Sequence, residues 1–142
     1  MSKIIVIALD KNNCIIFEKT SPTYYKFLSA ELSSESTPFK TADSLLDSAG
    51  YKIEIIKKLG VISEKSYSPE EETIVLMATV SKLDKTNNLI KTEEINGRGL
   101  DYMIRSGTFK NESMLAAVTL LWSKTGLVLN IHSEEQNDSN RN

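Results

Sequence analysis

The chain has 142 residues, of which 40% are hydrophobic and 25% are charged, and this composition predicts one globular domain with a core of useful size. The formal net charge of -2 and the scattered lysines and arginines argue against the concentrated basic surface of a nucleic-acid-binding protein. The lone cysteine, Cys14, excludes an intramolecular disulfide framework and favours a reducing compartment.

The N-terminal run is not expected to be a membrane span or a signal peptide. The N-terminal run MSKIIVIALD is too short for a membrane-spanning helix and lacks the long apolar region and cleavage site of a signal peptide. We therefore predict a cytoplasmic protein with neither a membrane nor a nucleic acid as its partner. We assign residues 1–131 to a single domain and expect the polar tail 132–142, which holds the only histidine, to be disordered.

The N-terminal part of the chain begins with two isoleucine-rich runs on either side of Lys-Asn-Asn. This pattern predicts a β-hairpin with strands at 3–9 and 13–19 and places Cys14 as a small core residue. The next segment, 20–36, is polar and rich in serine. We predict a loop there, with room for a short strand.

The stretch STPFKTADSLLDSAGY predicts a helix with both ends marked. Thr37 is a suitable N-cap, and Pro38 suits the first helical position because its missing N–H would be unpaired there. Gly50 is the expected left-handed stop, so the helix is predicted over 38–49. Its predicted buried face consists of Phe39, Ala42, Leu45, Leu46 and Ala49.

The second half of the chain predicts strands and then helices. The predicted elements are strands at 51–59, 73–81 and 89–91, helices over 100–107 and 112–124, and a last strand at 127–131. We expect a bend at Gly60 and a flexible turn in INGRGL. The apolar stripe predicted for the last helix contains Met114, Leu115, Val118, Leu121 and Trp122. The element order predicts a mixed α/β sandwich.

The segment from Glu35 to Tyr51 resembles the signature box of Nudix hydrolases. That box reads Gly, five residues, Glu, seven residues, Arg-Glu-U, one residue, Glu-Glu, one residue, Gly-U, where U is a large apolar residue. Placing its end on Gly50 and Tyr51 puts its first acid on Glu35 without a gap. LGVISEKSYSPEEETIVLMATV and LDYMIRSGTFKNESMLAAVTLLW are similar to the ADP-ribose pyrophosphatase branch, and the resemblance extends from Ile4 to Trp122. It implies a Nudix-like α/β/α sandwich with a mixed β-sheet.

The chain departs from the family where the box carries its chemistry. The three helix glutamates of the family bind Mg²⁺ or Mn²⁺, which activates water. The matching positions here hold Ser44, Asp47 and Ser48, and Asp43 replaces the box arginine. Neutral hydroxyls cannot hold a divalent cation as glutamates do, so we expect either no cofactor or weak Mg²⁺ or Mn²⁺ binding.

The family resemblance implies that some acidic side chains could still form a metal site. Asp47, Glu35 and Glu72 are the candidate ligands, with Glu71 beside them. A solvent-exposed charge is the alternative interpretation for each, and it is favoured for Asp43.

Four further residues are candidates through the same resemblance. Glu93 and Glu94 lie near the place where that branch carries a further glutamate, in some members the catalytic base. Tyr24 and Tyr25 lie on the side where the family holds its nucleotide base, so a stacking role is implied. The alternative interpretation is a surface charge for the two glutamates and a packing role for the two tyrosines.

Two functional hypotheses follow, with a reservation about the fold. The first is a non-catalytic Nudix-like domain that binds a nucleotide-type ligand or a protein partner as a sensor, scaffold or regulator. The second is a divergent Mg²⁺- or Mn²⁺-dependent pyrophosphatase acting on ADP-ribose-like molecules. A different small α/β binding domain is the third interpretation. The resemblance also implies a homodimer, which the stripe around Leu121 and Trp122 could support.

Overall fold

The computed structural model describes residues 2–22, 24–63, 72–84, 87–107 and 112–125. Its elements in chain order are β1 (Lys3–Leu9), β2 (Ile15–Ser21), β3 (Tyr24–Glu31), α1 (Pro38–Ala49), β4 (Tyr51–Ser63), β5 (Glu72–Lys82), β6 (Thr92–Ile95), α2 (Gly97–Arg105) and α3 (Glu112–Thr125). The predicted last strand and the predicted tail lie outside the described residues. No helix in the described ranges is long and apolar enough to cross a membrane.

The strands form one mixed sheet in the order β4-β5-β1-β3-β2-β6. β1 and β5 run parallel, and the other neighbours run antiparallel. β1 is apolar throughout because it is covered on both faces: its residues from Ile4 to Ala8 have no exposed surface.

A helical layer covers each face of the sheet. α1 packs on one face through Ala42, Leu45, Leu46 and Ala49, against Val6 and its neighbours. On the other face α2 and α3 cover a core that contains a stacked pair, Phe17 and Phe27, whose ring centroids are 5.0 Å apart. Alternate residues of β1 point to the two cores, as the two-residue period of a strand requires. The predicted three-layer α/β/α sandwich is confirmed.

α1 has the predicted bounds and the predicted caps. The Thr37 hydroxyl accepts a hydrogen bond from the Lys40 N–H at 3.2 Å, and Pro38 occupies the first turn. Gly50 ends the helix with a φ of 90°. Phe39 is a correction to the predicted buried face, because it lies in the first turn and is 50% exposed.

The predicted β-hairpin is confirmed at its turn and wrong beyond it. β1 and β2 pair only at Ala8↔Ile16 and Leu9↔Ile15, after which β3 lies between them. The Asp10 carboxylate fixes the turn by accepting hydrogen bonds from the backbone N–H groups of Asn12 and Cys14, at 2.8 and 3.0 Å. Cys14 itself is half-buried rather than a core residue.

Three predicted elements after the hairpin are corrected. Segment 20–36 was predicted as a loop with room for a short strand, but it contains the eight-residue strand β3. The short strand predicted at 89–91 lies instead at Thr92–Ile95, where it pairs with β2. The turn predicted in INGRGL is the first turn of α2, because the Asn96 side chain caps that helix by accepting from the Gly99 N–H at 2.8 Å.

β4 is longer than predicted, and the expected irregularity at Gly60 is present. The strand runs from Tyr51 to Ser63, and its pairing with β5 shifts register between Lys58 and Gly60. Leu120 of α3 lies over that shift, with its methyl carbons 3.2 Å from where a Gly60 Cβ would be. The predicted stripe of α3 is confirmed, since Met114, Val118 and Leu121 are buried, and Leu115 and Trp122 pack beside them.

Replacing Gly50 by alanine is expected to destabilise the fold. The left-handed backbone, with φ at 90°, costs an L-residue roughly 1–2 kcal/mol. In addition, the new Cβ would lie 2.6 Å from the side-chain nitrogen of Asn88, which would have to move. Gly107→Ala is the matched control, because Gly107 also has a positive φ, of 78°, but no described atom within 4 Å of the added carbon. Urea denaturation should therefore show a larger loss for Gly50→Ala than for Gly107→Ala.

The double variant Gly50→Ala with Asn88→Ala separates the two contributions. Compared with Gly50→Ala, it should regain the stability lost through the contact with Asn88. Only the cost of the left-handed backbone should then remain. Equal losses for the two single variants would show instead that Asn88 moves aside without cost.

Candidate functional site

The candidate site forms where α1 ends and β4 begins. The left-handed turn at Gly50 sends the chain directly into β4, whose first residue, Tyr51, pairs with Lys82 at the end of β5. Tyr51 is 5% exposed, and its hydroxyl donates a hydrogen bond to Glu94 Oε1 at 3.1 Å. This bond joins the first residue of β4, just after α1, to β6. These two strands stand at opposite ends of the strand order.

Residues 88–91, here called the strap, connect these elements. The Ile90 N–H donates to the Ser48 carbonyl at 3.2 Å, so the strap satisfies a carbonyl at the end of α1. The Lys19 N–H donates to the Lys91 carbonyl at 3.0 Å and thereby joins the strap to β2. The Asn88 side chain lies against Gly50. The strap is thus held from both sides as it approaches β6.

A cavity of about 720 Å³, here called the large cavity, opens between α1, the strap and β6. Its lining residues are Lys19, Ala49, Gly50, Tyr51, Lys82, Asn88, Ile90, Lys91, Thr92, Glu93 and Glu94. This volume is within the range of about 300–1,000 Å³ that is typical of small-molecule sites. The lining carries three lysines and two glutamates, so its formal charge is positive by one.

The two glutamates of the large cavity each have a tyrosine partner. Glu94 accepts a hydrogen bond from Tyr51, and the interaction with Glu93 raises the pKa of the Tyr25 phenol. The Lys19 ammonium lies 5.7 Å from the centroid of the Tyr25 ring, in cation–π contact, and lowers that pKa in part. Tyr25 therefore belongs to the rim of this cavity through its contacts with Lys19 and Glu93.

Burial and negative charge dominate the electrostatics beneath the cavity. Burial raises the pKa of Tyr51 to about 12, and the hydrogen bond and charge of Glu94 act in the same direction, whereas a hydrogen bond to Thr92 opposes them. Burial also raises the pKa of the Cys14 thiol, with Asp10 and Glu94 adding to the effect. Both groups are therefore held in their neutral forms at neutral pH.

A second cavity, here called the small cavity, has a volume of about 260 Å³ and lies along the outer side of α1. Its lining residues are Asp43, Ser44, Asp47, Tyr51, Lys52 and Leu83. It therefore contains two of the three positions that align with the metal-binding glutamates of the Nudix box. Tyr51 lines both cavities and forms a shared wall between them.

The structure brings some of the predicted site residues together. Glu93 and Glu94 line the large cavity, and Tyr25 contacts its rim. Tyr24, the other predicted ligand-binding residue, is 43% exposed at the start of β3. Asp47 lines the small cavity, where it makes interactions of its own.

The other two predicted metal ligands, Glu35 and Glu72, line neither cavity. Glu35 precedes α1 and Asp47 lies in its last turn, and the helical rise separates Pro38 from Asp47 by about 14 Å. Glu72 is the first residue of β5, and Lys82, the last residue, pairs with Tyr51. The strand separates Glu72 from Lys82 by about 33 Å. These acids do not converge on one point. Glu71 lies outside the described residues.

The side chains present do not fit the metal centre that the family resemblance implies. Ser44 and Ser48 offer neutral hydroxyls where carboxylates are needed for Mg²⁺ or Mn²⁺. Within residues 2–22, 24–63, 72–84, 87–107 and 112–125, no three His, Cys, Asp or Glu residues are grouped so that they could hold a metal ion.

Sequence reasoning missed four residues of the large cavity. Lys19 lies on β2, Lys82 on β5 and Lys91 in the strap, and nothing in their sequence spacing indicates that they meet. Tyr51 occupies the final apolar position of the box, which could have indicated a buried wall of the site. Its phenol, unlike an aliphatic side chain, can also hydrogen-bond a carboxylate.

Comparison with solved structures decides the fold. The crystal structure of an ADP compounds hydrolase is similar to this chain with a TM-score of 0.70 and 9% sequence identity, over 86% of this chain and 71% of that one. The fold is Nudix-like. In this Nudix-like domain, α1 lies across the sheet and leads directly into β4, so the third interpretation, a different α/β fold, is excluded.

Sequence comparison adds nothing to this structural similarity. No protein-family model matches the chain, and no curated protein matches it. The similarity to the solved structure is therefore a statement about the fold, and function has to be argued from the cavities.

Proposed function

We propose that this chain is a non-catalytic Nudix-like domain that binds a nucleotide-type ligand in the large cavity. The observation that carries the proposal is the cavity's lining, in which three lysines and two glutamates surround about 720 Å³. Lysines suit the phosphate groups of such a ligand, and carboxylates suit its hydroxyl and amino groups. A pocket with both kinds of group at hand is matched to a phosphorylated sugar or nucleoside.

The positions of the family's box support the non-catalytic part of the proposal. Ser44 and Ser48 stand at two of the three metal-binding positions, and only Asp47 is acidic. Without converging carboxylates, water has no metal to activate it for attack on a diphosphate. Glu94 is also poorly placed as a general base for a ligand, since it already accepts a hydrogen bond from Tyr51.

A thermal-melt panel tests this proposal. ADP, ADP-ribose and a dinucleoside polyphosphate are the first probes, because the similar solved structure is an ADP compounds hydrolase. A ligand at 100 times its Kd stabilises the native state by about 2.7 kcal/mol. For a domain of this size, that raises the Tm by several degrees. The absence of any shift across the panel, with and without Mn²⁺, would overturn nucleotide binding and favour the protein partner.

A turnover assay tests the non-catalytic part separately. Each probe is incubated with the protein and Mg²⁺ or Mn²⁺, and release of product is followed. We expect none above the rate of the uncatalysed reaction. Hydrolysis at ordinary enzyme rates that is abolished by Asp47→Ala would instead establish the divergent pyrophosphatase. Ser44→Ala is the control, since it removes a neutral group from the same face of α1.

A further inference from the structure

We propose that the large cavity binds the phosphate groups of its ligand without a divalent cation, because Lys19, Lys82 and Lys91 supply the positive charge. This inference rests on the proposed function and specifies its chemistry. Metal-dependent diphosphate sites use a cation to neutralise the phosphates. In this cavity, three lysines of the chain are among the lining residues and supply positive charge for the same purpose.

The backbone segments that carry the lysines are fixed relative to one another. The Lys19 N–H is hydrogen-bonded to the carbonyl of Lys91 at 3.0 Å, so these two residues are held side by side. Lys82 pairs with Tyr51, and the next residue, Leu83, donates its N–H to the Gly50 carbonyl at 2.8 Å. Three separate segments, β2, β5 and the strap, therefore each contribute a lysine to the lining of one cavity.

Lys82 and Lys91 differ from Lys19 in their surroundings. Between described residues, the ion pairs are those of Lys26 with Glu18 and of Arg105 with Asp101, and neither involves these two lysines. Both lysines are exposed, so their ammonium groups are solvated at the mouth of the cavity. Lys19 is different because it already contacts the Tyr25 ring, and it contributes mainly to the field at the rim.

The glutamates of the cavity are engaged by protein donors. Tyr51 donates to Glu94, and Glu93 lies close enough to Tyr25 to raise the pKa of its phenol. Each phenol satisfies part of a carboxylate that would otherwise repel an incoming phosphate. The lining carries three lysines and two glutamates, so its formal charge favours an anion by one unit.

Two properties follow from lysine-based charge neutralisation. Binding should be insensitive to removal of divalent cations, since no metal bridges the phosphates. It should also weaken as salt is added, because partly exposed charges are screened over a distance of about 8 Å at physiological ionic strength. A metal-bridged ligand would show the opposite response to chelation.

Isothermal titration calorimetry of the whole chain with ADP provides the test. The titration is run in EDTA, then in Mg²⁺, and then in EDTA with added salt; pyrophosphate and adenosine replace ADP in parallel runs. We expect the Kd for ADP to agree within about twofold between EDTA and Mg²⁺. Under both conditions, ADP should bind at least about tenfold more tightly than adenosine. Lys82→Gln and Lys91→Gln should each weaken ADP binding about fivefold to tenfold.

Lys57→Gln is the matched control, since Lys57 is an exposed lysine of β4 that lines neither cavity. Thermal melts of each free variant show that it is folded. ADP binding that is lost in EDTA and restored by Mg²⁺ would overturn this inference and leave the proposed function standing. Unchanged affinity in both cavity variants would also overturn it. Binding of no probe under any condition would overturn the proposed function itself.

Discussion

Replacing Phe27 by alanine is expected to lower the free energy of unfolding by about 3–5 kcal/mol. Phe27 has no exposed surface and stacks on Phe17 with ring centroids 5.0 Å apart. Removing its ring would leave a cavity between the sheet and the α2–α3 layer, and it would also remove the aromatic contact. Urea denaturation followed by far-ultraviolet circular dichroism gives the loss directly.

Tyr24→Ala is the matched control for Phe27→Ala because it removes an aromatic ring from the same strand. Tyr24 is 43% exposed, so its removal should cost less than about 1 kcal/mol. The pair tests whether the segment after β2 is a strand. If Phe27→Ala cost as little as Tyr24→Ala, the segment would behave as a surface loop.

Replacing Tyr51 by phenylalanine is expected to flatten the loss of stability at alkaline pH. The folded-state pKa of Tyr51 is raised to about 12, above the ordinary value of 10 that applies when the chain unfolds. A raised pKa contributes stability that is complete below pH 10 and is lost as the pH rises through about 12. The contribution is on the order of 2–3 kcal/mol.

Denaturation of the wild type and of Tyr51→Phe at pH 9 and near pH 12 measures this contribution. Lysines titrate in both proteins, so their effect cancels in the difference. Tyr102→Phe serves as the control, since Tyr102 is 70% exposed and lines neither cavity. A difference between wild type and Tyr51→Phe that stays constant with pH would contradict the role of burial and of Glu94 in holding this phenol neutral.

Elements with local signals could be predicted from the sequence. α1 has an N-cap at Thr37, a proline at its first position and a glycine stop, and each acts within one turn of the helix. Its bounds were predicted correctly for that reason. Phe39 was misplaced because helical spacing alone does not say how far the sheet extends beneath the first turn.

Elements that depend on distant partners could not be predicted with the same accuracy. β3 lies within the serine-rich segment 20–36, and it is a strand because β1 and β2 hydrogen-bond it on both edges. β6 lies at Thr92–Ile95 because that segment meets β2 there. Local propensity carries no information about either partner.

Some residues of the candidate site could likewise be predicted from the sequence, and others could not. Glu93, Glu94 and Tyr25 were singled out through the resemblance, and they meet around one cavity. The lysines opposite them were hidden because their meeting depends on the sheet order and on the strap. A single sequence indicates which residue types are available, but the tertiary fold decides which of them share a space.

The order of the strands also bears on how the chain is made. Lys3 of β1 pairs with Thr73 of β5, which the ribosome adds seventy residues later. At about 5–20 residues per second, β1 therefore waits roughly 4–14 s after its synthesis for its parallel neighbour. Its apolar run, from Ile4 to Leu9, contains no charge and no proline, a pattern that is prone to intermolecular β-pairing. Until β5 is made, the edge of β1 that will pair with it is therefore open to intermolecular β-pairing.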